Sequence, residues 1–325
     1  MRAIMVDEEG ATPVARDVAR PDLPADGVRL RMRAAGVNFA DTLMIAGQYQ
    51  VRPAAPFTPG FEAAGEVLEA GPEAADAPPP GTPVMALVDH GAWAEEVIAR
   101  PADMVRLPAG MPWVTAATFG VAYGTAHLGL HHRAGVRPGE SVLVTGAGGG
   151  VGLTAVEVAR VLGATVIGCA GGDKLAAVER HGAHHTIDHR DQAIRDAARA
   201  VTGGAGPDVV YDPVGGEVFD AALRSAAQGA RILTVGFASG TVPGIPANRL
   251  LVKNQTVIGY WFGAWRHLDP AAVRTALETL LGWWRDGRLA PEVWATYDLA
   301  DFTAALDALR ERRVTGRIAL VPDGA

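Results

Sequence analysis

A run of glycines between residues 146 and 152 is the feature of this chain best suited to chemistry. It lies in Ser141-Val-Leu-Val-Thr-Gly146-Ala-Gly-Gly-Gly-Val-Gly152-Leu-Thr-Ala-Val-Glu, where an apolar strand enters a glycine turn that opens an Ala/Val-rich helix. In the register ending at Gly152 the pattern is A-x-G-x-x-G, with Ala147 at the first glycine position. Glycines let the backbone turn tightly and approach a pyrophosphate, and a helix N-terminus offers N–H groups without partners and a positive dipole end. The bland reading is a turn that binds nothing. A strand before, a helix after and further strand–helix units downstream favour a dinucleotide.

The end of the next strand bears on which dinucleotide. In Thr165-Val-Ile-Gly168-Cys-Ala170-Gly-Gly172-Asp-Lys174, Cys169 and Ala170 stand where an acidic residue would hold a ribose 2′-hydroxyl. Small neutral residues leave room for a 2′-phosphate, and Lys174 can neutralise it, which favours NADPH over NADH. Asp173 also reads as the N-cap of the following helix, with Lys174 then a solvated first-turn residue.

Other reactive types are sparse. Cys169 is the only cysteine, so no internal disulfide or multi-cysteine metal site is possible, and the chain suits a reducing cytoplasm. A catalytic zinc needs three protein ligands, and no Cys/His spacing in the first 125 residues supplies them, so no metal is expected. His181, His184, His185 and His189 read as a solvated cluster rather than a metal site. Cys169, at the end of a buried strand, reads as an inert core thiol. Glu62, flanked by apolar residues, reads as a structural carboxylate rather than a base. Lys plus Arg total 29 against 36 Asp plus Glu, a net charge of −7, which argues against nucleic acid or an anionic membrane as partner. The most apolar stretch, Ser141 to Ala170, is interrupted by glycines and carries Glu157 and Arg160, so no transmembrane segment is expected. The acidic run Asp7-Glu8-Glu9 reads against a signal peptide.

The elements that position these residues fall into two textures. Up to about residue 110 the chain reads as short strands between turns: Val28 to Arg33, Ala63 to Glu69, Val84 to Val88 and Ala94 to Ile98, with a short helix over Asn38 to Ile45. A helix follows over Thr115 to Leu130. From Ser141 to Trp261 strands and helices alternate, the mark of βαβ units and a doubly wound parallel sheet. The tail holds helices around Ala271 to Trp284 and Ala300 to Arg312 and a lone strand, Arg317 to Val321. These cannot form a core alone, so they must pack back on the N-terminal part.

On these motifs the chain resembles the medium-chain dehydrogenase/reductase superfamily over essentially its whole length. The resemblance implies a GroES-like, β-barrel-type catalytic domain (1–122 and 266–325) and a Rossmann cofactor domain (123–265). Zinc alcohol dehydrogenases of this superfamily carry G-[IV]-C-H-x-D and G-H-E segments. Here these read Gly36-Val-Asn38-Phe-Ala-Asp41 and Gly60-Phe61-Glu62, so Asn38 and Phe61 replace two zinc ligands, and Ala117 stands at the third. The zinc-free NADPH:quinone oxidoreductases fit best. Pro59-Gly-Phe-Glu62-Ala-Ala-Gly65, Asp212-Pro-Val-Gly-Gly216 and Asn248-Arg-Leu-Leu-Val-Lys-Asn254 look like segments of that family.

The resemblance implies that Asn38 lies by the nicotinamide and that Gly149, Gly150, Val151 and Gly152 hold the pyrophosphate. Lys174 and His189 would flank the adenine-phosphate end; relatives have an aromatic where His189 stands. Val214, Gly236, Phe237, Phe262 and Gly263 would line the cofactor site, and Arg317 would reach the pyrophosphate. Tyr49 matches the tyrosine that donates a proton in related enoyl-thioester reductases; it reads equally as a loop residue covering apolar surface. The implied activity is hydride transfer from NADPH to a quinone or α,β-unsaturated carbonyl, acceptors that need no Lewis acid. Rivals are an enoyl- or acryloyl-thioester reductase, for which Arg52, Arg249 and Arg266 could meet coenzyme A phosphates, and a nucleotide-binding protein with little turnover. Thr256 to Trp261 would form a sheet edge that relatives pair across a two-fold axis, so a homodimer is expected.

Overall fold

A computed structural model describes residues 1–322. The chain divides into two units, one built from residues 1–121, 263–285 and 291 onward, the other from 122–262 and 286–290.

The first unit is organised around one long strand, Val28–Val37. It pairs antiparallel with Glu62–Ala70 on one side. On the other, its first half meets Glu96–Ala99 and its last residues meet Arg317–Val321. Pro83–Leu87 and Met104–Arg106 continue the sheet beyond Glu62–Ala70. The register shifts at Arg29/Leu30 and Met32/Ala34, irregularities that bend a strand and let a sheet curl toward a barrel. The predicted lone terminal strand has a parallel neighbour, Val293–Asp298, which alternates half-buried and exposed residues. That strand escapes a periodicity reading because Trp294 puts a large apolar side chain on its exposed face. The expected return of the tail to the N-terminal sheet is the Arg317–Val321 pairing. The core gathers Ile4, Leu30, Met32, Met44 and Trp93, all essentially inaccessible to solvent; each such side chain contributes roughly 1.5–3 kcal/mol on leaving water.

The second unit holds six parallel strands in the spatial order His185–Asp188, Thr165–Ala170, Ser141–Val144, Val209–Asp212, Arg231–Thr234, Thr256–Gly259. Numbered along the chain this is 3-2-1-4-5-6, with the order reversing between Ser141–Val144 and Val209–Asp212. Sheets of this kind bind ligands beyond the strand C-termini at that reversal. The inner strands carry apolar runs, Val142–Val144 and Val209–Tyr211, as burial on both faces requires. The edge strand Thr256–Gly259 has an exposed–intermediate–intermediate–exposed pattern. Helix Gly150–Val161 starts inside the glycine run, with Gly150 and Gly152 in its first turn. The single helix expected over Thr115 to Leu130 is instead Trp113–Ala117, Gly120–His127 and a wider turn over Leu128–Arg133. Between the first two, the Thr118 hydroxyl donates to the Val114 carbonyl, an alternative to continuing the helix. Among the described residues no helix is long and apolar enough to cross a membrane.

Candidate active site

In the second unit the glycine turn is shaped for a phosphate. The first intrahelical bond of Gly150–Val161 runs from the Leu153 N–H to the Gly149 carbonyl. The N–H groups of Gly150, Val151 and Gly152 therefore precede the helical ladder and point out of its N-terminus. A Cβ at Gly152 would overlap the Gly146 carbonyl, so the helix can start this close to the strand only with glycine there. At Gly149 the nearest obstacle to a Cβ is 3.4 Å away, which leaves this side of the turn open. Asp212 ties the walls together: the Thr145 hydroxyl donates to one carboxylate oxygen and the Gly215 N–H to the other at 2.8 Å. Burial pushes the Asp212 pKa up against those donors. Val214 packs toward Gly146, Gly236 lies against the Pro213 carbonyl, and Phe237, 38% exposed, lies against Gly215. These expected residues thus converge at the strand ends where the sheet order reverses. The turn fits a dinucleotide diphosphate.

Lys174 lays its aliphatic stem against Gly148 and so belongs to this rim. The helix after it, Leu175–Arg180, starts at Lys174 without a side-chain cap, so Asp173 is not the cap the residue type suggested. The Asp173 carboxylate meets the Arg190 guanidinium at 3.3 Å instead. His189 is exposed and its N–H donates to the Ala170 carbonyl. The Phe262 ring is buried against Gly124, while Gly263 belongs to the first unit. Cys169 is buried and its thiol is pushed up to about 12 by desolvation, consistent with an inert group.

In the first unit the residues around Asn38 form a closed polar cluster. The Asn38 amide donates to Glu62 at 3.0 Å, and its oxygen accepts from Arg317 at 2.8 Å. Arg317 also reaches Glu62 at 2.5 Å, and the Val121 N–H donates to the second Glu62 oxygen at 2.8 Å. Asn38, Glu62 and Arg317 are all at most 5% exposed. Asp41, fully buried, accepts the Asn38 N–H at 2.7 Å and the Gly60 N–H at 3.1 Å, which fastens the helix Phe39–Ile45 to the 60–62 turn. Burial pushes Asp41 to about 8, so it keeps its proton near neutral pH. Burial also raises Glu62, opposed by the Arg317 charge and the Val121 and Asn38 donors. Tyr49 is half-buried and meets Phe61 edge-on at 5.4 Å.

Two expectations change here. Arg317, assigned to the pyrophosphate, has its guanidinium committed to Glu62 and Asn38 inside the first unit. Arg266, one of the cations considered for coenzyme A, is buried and engaged with Asp89, Asp103 and the Leu87 carbonyl. Of the histidines read as a solvated cluster, His184, His185 and His189 are exposed, whereas His181 lies 8% exposed beside Glu157. Residue type alone did not single out Asp41, which shares the cluster because it stands three residues after Asn38 on one helical turn.

Comparison with known proteins decides the family. Residues 24–109 match the alcohol dehydrogenase GroES-like domain and residues 150–281 the zinc-binding dehydrogenase family. A quinone oxidoreductase-like protein 2 homolog of Nematostella vectensis is 36% identical over 98% of this chain and 88% of the relative. The chain belongs to the quinone oxidoreductase family of medium-chain dehydrogenases/reductases. Among its solved members, the Escherichia coli quinone oxidoreductase complexed with NADPH superposes with a TM-score of 0.92 at 26% identity, covering 99% of this chain and 100% of that one. The Thermus thermophilus quinone oxidoreductase, also solved with NADPH, gives 0.86 at 33% identity with coverage of 99% and 100%. The name of one matching family mentions zinc, but the residues here do not fit that ion. At the three ligand positions stand an amide already hydrogen-bonded, a phenyl ring and a methyl group, with a guanidinium alongside. Among the described residues no group of three or more His, Cys, Asp or Glu is placed to hold a metal.

Proposed function

We propose that the chain is a metal-independent reductase that uses NADPH to reduce a quinone or a similarly electron-poor enone. The observation that carries this reading is the Asn38–Glu62–Arg317 cluster, which ties the amide at the first zinc-ligand position into a buried ion pair. When bound, NADPH supplies a hydride from its dihydronicotinamide. The Gly149–Gly152 turn holds the diphosphate with backbone N–H groups, and Val214, Gly236 and Phe237 wall the site.

Asn38 would lie by the nicotinamide, with its amide held by Glu62 and Arg317. Glu62 and Arg317 set which way that amide points, because reversing it would set a donor against Arg317 and an acceptor against Glu62. Tyr49, braced by Phe61, holds the proton that the acceptor oxygen takes up as it is reduced. A quinone tolerates the absence of a Lewis acid because reduction places charge on an already stabilised oxygen. We also expect a homodimer through the edge strand Thr256–Gly259, beside which Leu251 and Val252 are 78% and 73% exposed, in a reducing cytoplasm.

Consumption of NADPH with 1,4-benzoquinone, set against crotonyl- and acryloyl-coenzyme A, tests the assignment. Rapid turnover with the quinone and little with the thioesters is the expected result. The reverse order would move the chain to the thioester reductases, and binding without turnover on any acceptor would make it a non-catalytic nucleotide-binding protein.

A further inference from the structure

Arg190, which residue type and spacing did not single out, sits beside the ribose end expected of the dinucleotide. Strands Thr165–Ala170 and His185–Asp188 run parallel, with Asp188 opposite Ala170 at their C-terminal ends. From Asp188 the chain turns so that the Arg190 N–H donates to the Asp188 carboxylate at 3.0 Å and its guanidinium returns to that carboxylate at 3.3 Å. A second guanidinium nitrogen meets Asp173 at 3.3 Å from the other side. These contacts hold Asp188 below the usual carboxylate range, the Arg190 N–H foremost. The floor is Gly171-Gly172, and a Cβ at Gly172 would overlap the Asp188 carboxylate and crowd Arg190. Glycine there leaves room for the Asp188 carboxylate and the Arg190 guanidinium beside the backbone just past the strand end where a 2′-substituent is read.

The Arg190 side chain is 52% exposed and that of Asp173 is 69% exposed. Such a pair is weak in water and readily exchanged, whereas a guanidinium meets a phosphate with paired, charge-assisted hydrogen bonds. We infer that Arg190 is the 2′-phosphate receptor of this chain and that Asp173 and Asp188 occupy its guanidinium as a built-in competitor for that phosphate. The inference rests on the dinucleotide reading above and assigns the discrimination to a residue other than Lys174 or His189. The two carboxylates lower NADPH affinity below what the guanidinium alone would give. With NADH they leave Arg190 neutralised, so the unphosphorylated cofactor meets no stranded positive charge.

Binding of adenosine 2′,5′-bisphosphate and 5′-AMP, followed by calorimetry on the whole chain and its variants, separates these roles without any turnover. Arg190→Gln weakens the bisphosphate about tenfold or more, the cost of one charged hydrogen bond, and changes 5′-AMP less than about twofold. Asp173→Asn tightens the bisphosphate severalfold, and in the Asp173→Asn/Arg190→Gln double variant that gain disappears. A gain that persists in the double variant would mean plain charge repulsion and overturn the competitor role. Equal loss of both ligands in Arg190→Gln, or no loss of either, would overturn the receptor role. If parent protein oxidises NADPH with quinone while Arg190→Gln binds like the parent, only this inference fails. If parent protein binds neither NADPH nor NADH, the dinucleotide reading fails with it.

Discussion

The two arginine–carboxylate sites solve opposite problems. In the first unit Arg317 and Glu62 are sealed from water and share their hydrogen bonds with Asn38 and the Val121 N–H. In the second, Arg190 lies in solvent between Asp173 and Asp188 on a glycine floor. A buried pair is costly to form and rigid once formed, because either partner left alone would be an uncompensated charge. An exposed pair contributes little stability and gives way to a better partner. The sealed site therefore suits positioning, and the open one suits exchange with a ligand.

The largest test of that contrast is Arg317→Met, which strands Glu62 in the core. It should cost about 3–5 kcal/mol in chemical denaturation, with much of the loss recovered in Arg317→Met/Glu62→Leu. An Arg317→Met protein as stable as its parent would mean the pair is not sealed.

Next in size is Gly152→Val in the second unit. A side chain there pushes the helix off the Gly146 carbonyl, so NADPH affinity in a fluorescence titration should fall more than about a hundredfold. The far-ultraviolet circular dichroism should stay that of a folded protein.

Smaller, and confined to the sealed site, is a pH effect. Asp41 moves from 3.8 to about 8 on folding, through burial, so between those values the folded chain holds a proton that the unfolded chain has released. The stability this group contributes is greatest below its unfolded pKa and falls as pH rises through its folded one. Asp41→Asn cannot ionise. Relative to the parent it should gain stability between about pH 5 and about pH 9 in urea titrations, even though it loses one acceptor for the Asn38 and Gly60 N–H groups.

Smallest of all is Arg190→Gln, which should leave the unfolding midpoint within error of the parent while changing ligand discrimination. A marked drop in that midpoint would erase the difference between the two sites.

Much of the second unit was legible in the sequence because its signals are local. The glycine turn, the apolar strands and the helices between them each announce themselves within a dozen residues. The first unit was less so. Arg2–Met5 and Val14–Asp17 are four-residue strands with mixed burial, too short for a period-two pattern to register. In the second unit the seven-residue helix Ala247–Lys253 also escaped the reading, since it has no buried residue.

The candidate site divides in the same way. Gly149 to Gly152 follow from one motif. The bond between Arg317 and Asn38 spans 279 positions and exists only because Arg317–Val321 pairs with the end of Val28–Val37. No spacing rule brings those residues together before the sheet is known. Arg190 escaped notice for a related reason, since Asp173 and Asp188, which hold it, stand just after one strand and at the end of its neighbour.

The central claim is that a sealed hydrogen-bonded cluster, not an ion, sets up the reducing site. Purified protein should be assayed with NADPH and 1,4-benzoquinone before and after exhaustive chelation, alongside elemental analysis. The account predicts less than stoichiometric zinc and an unchanged rate. One zinc per chain, with activity lost on chelation and restored by the metal, would contradict it.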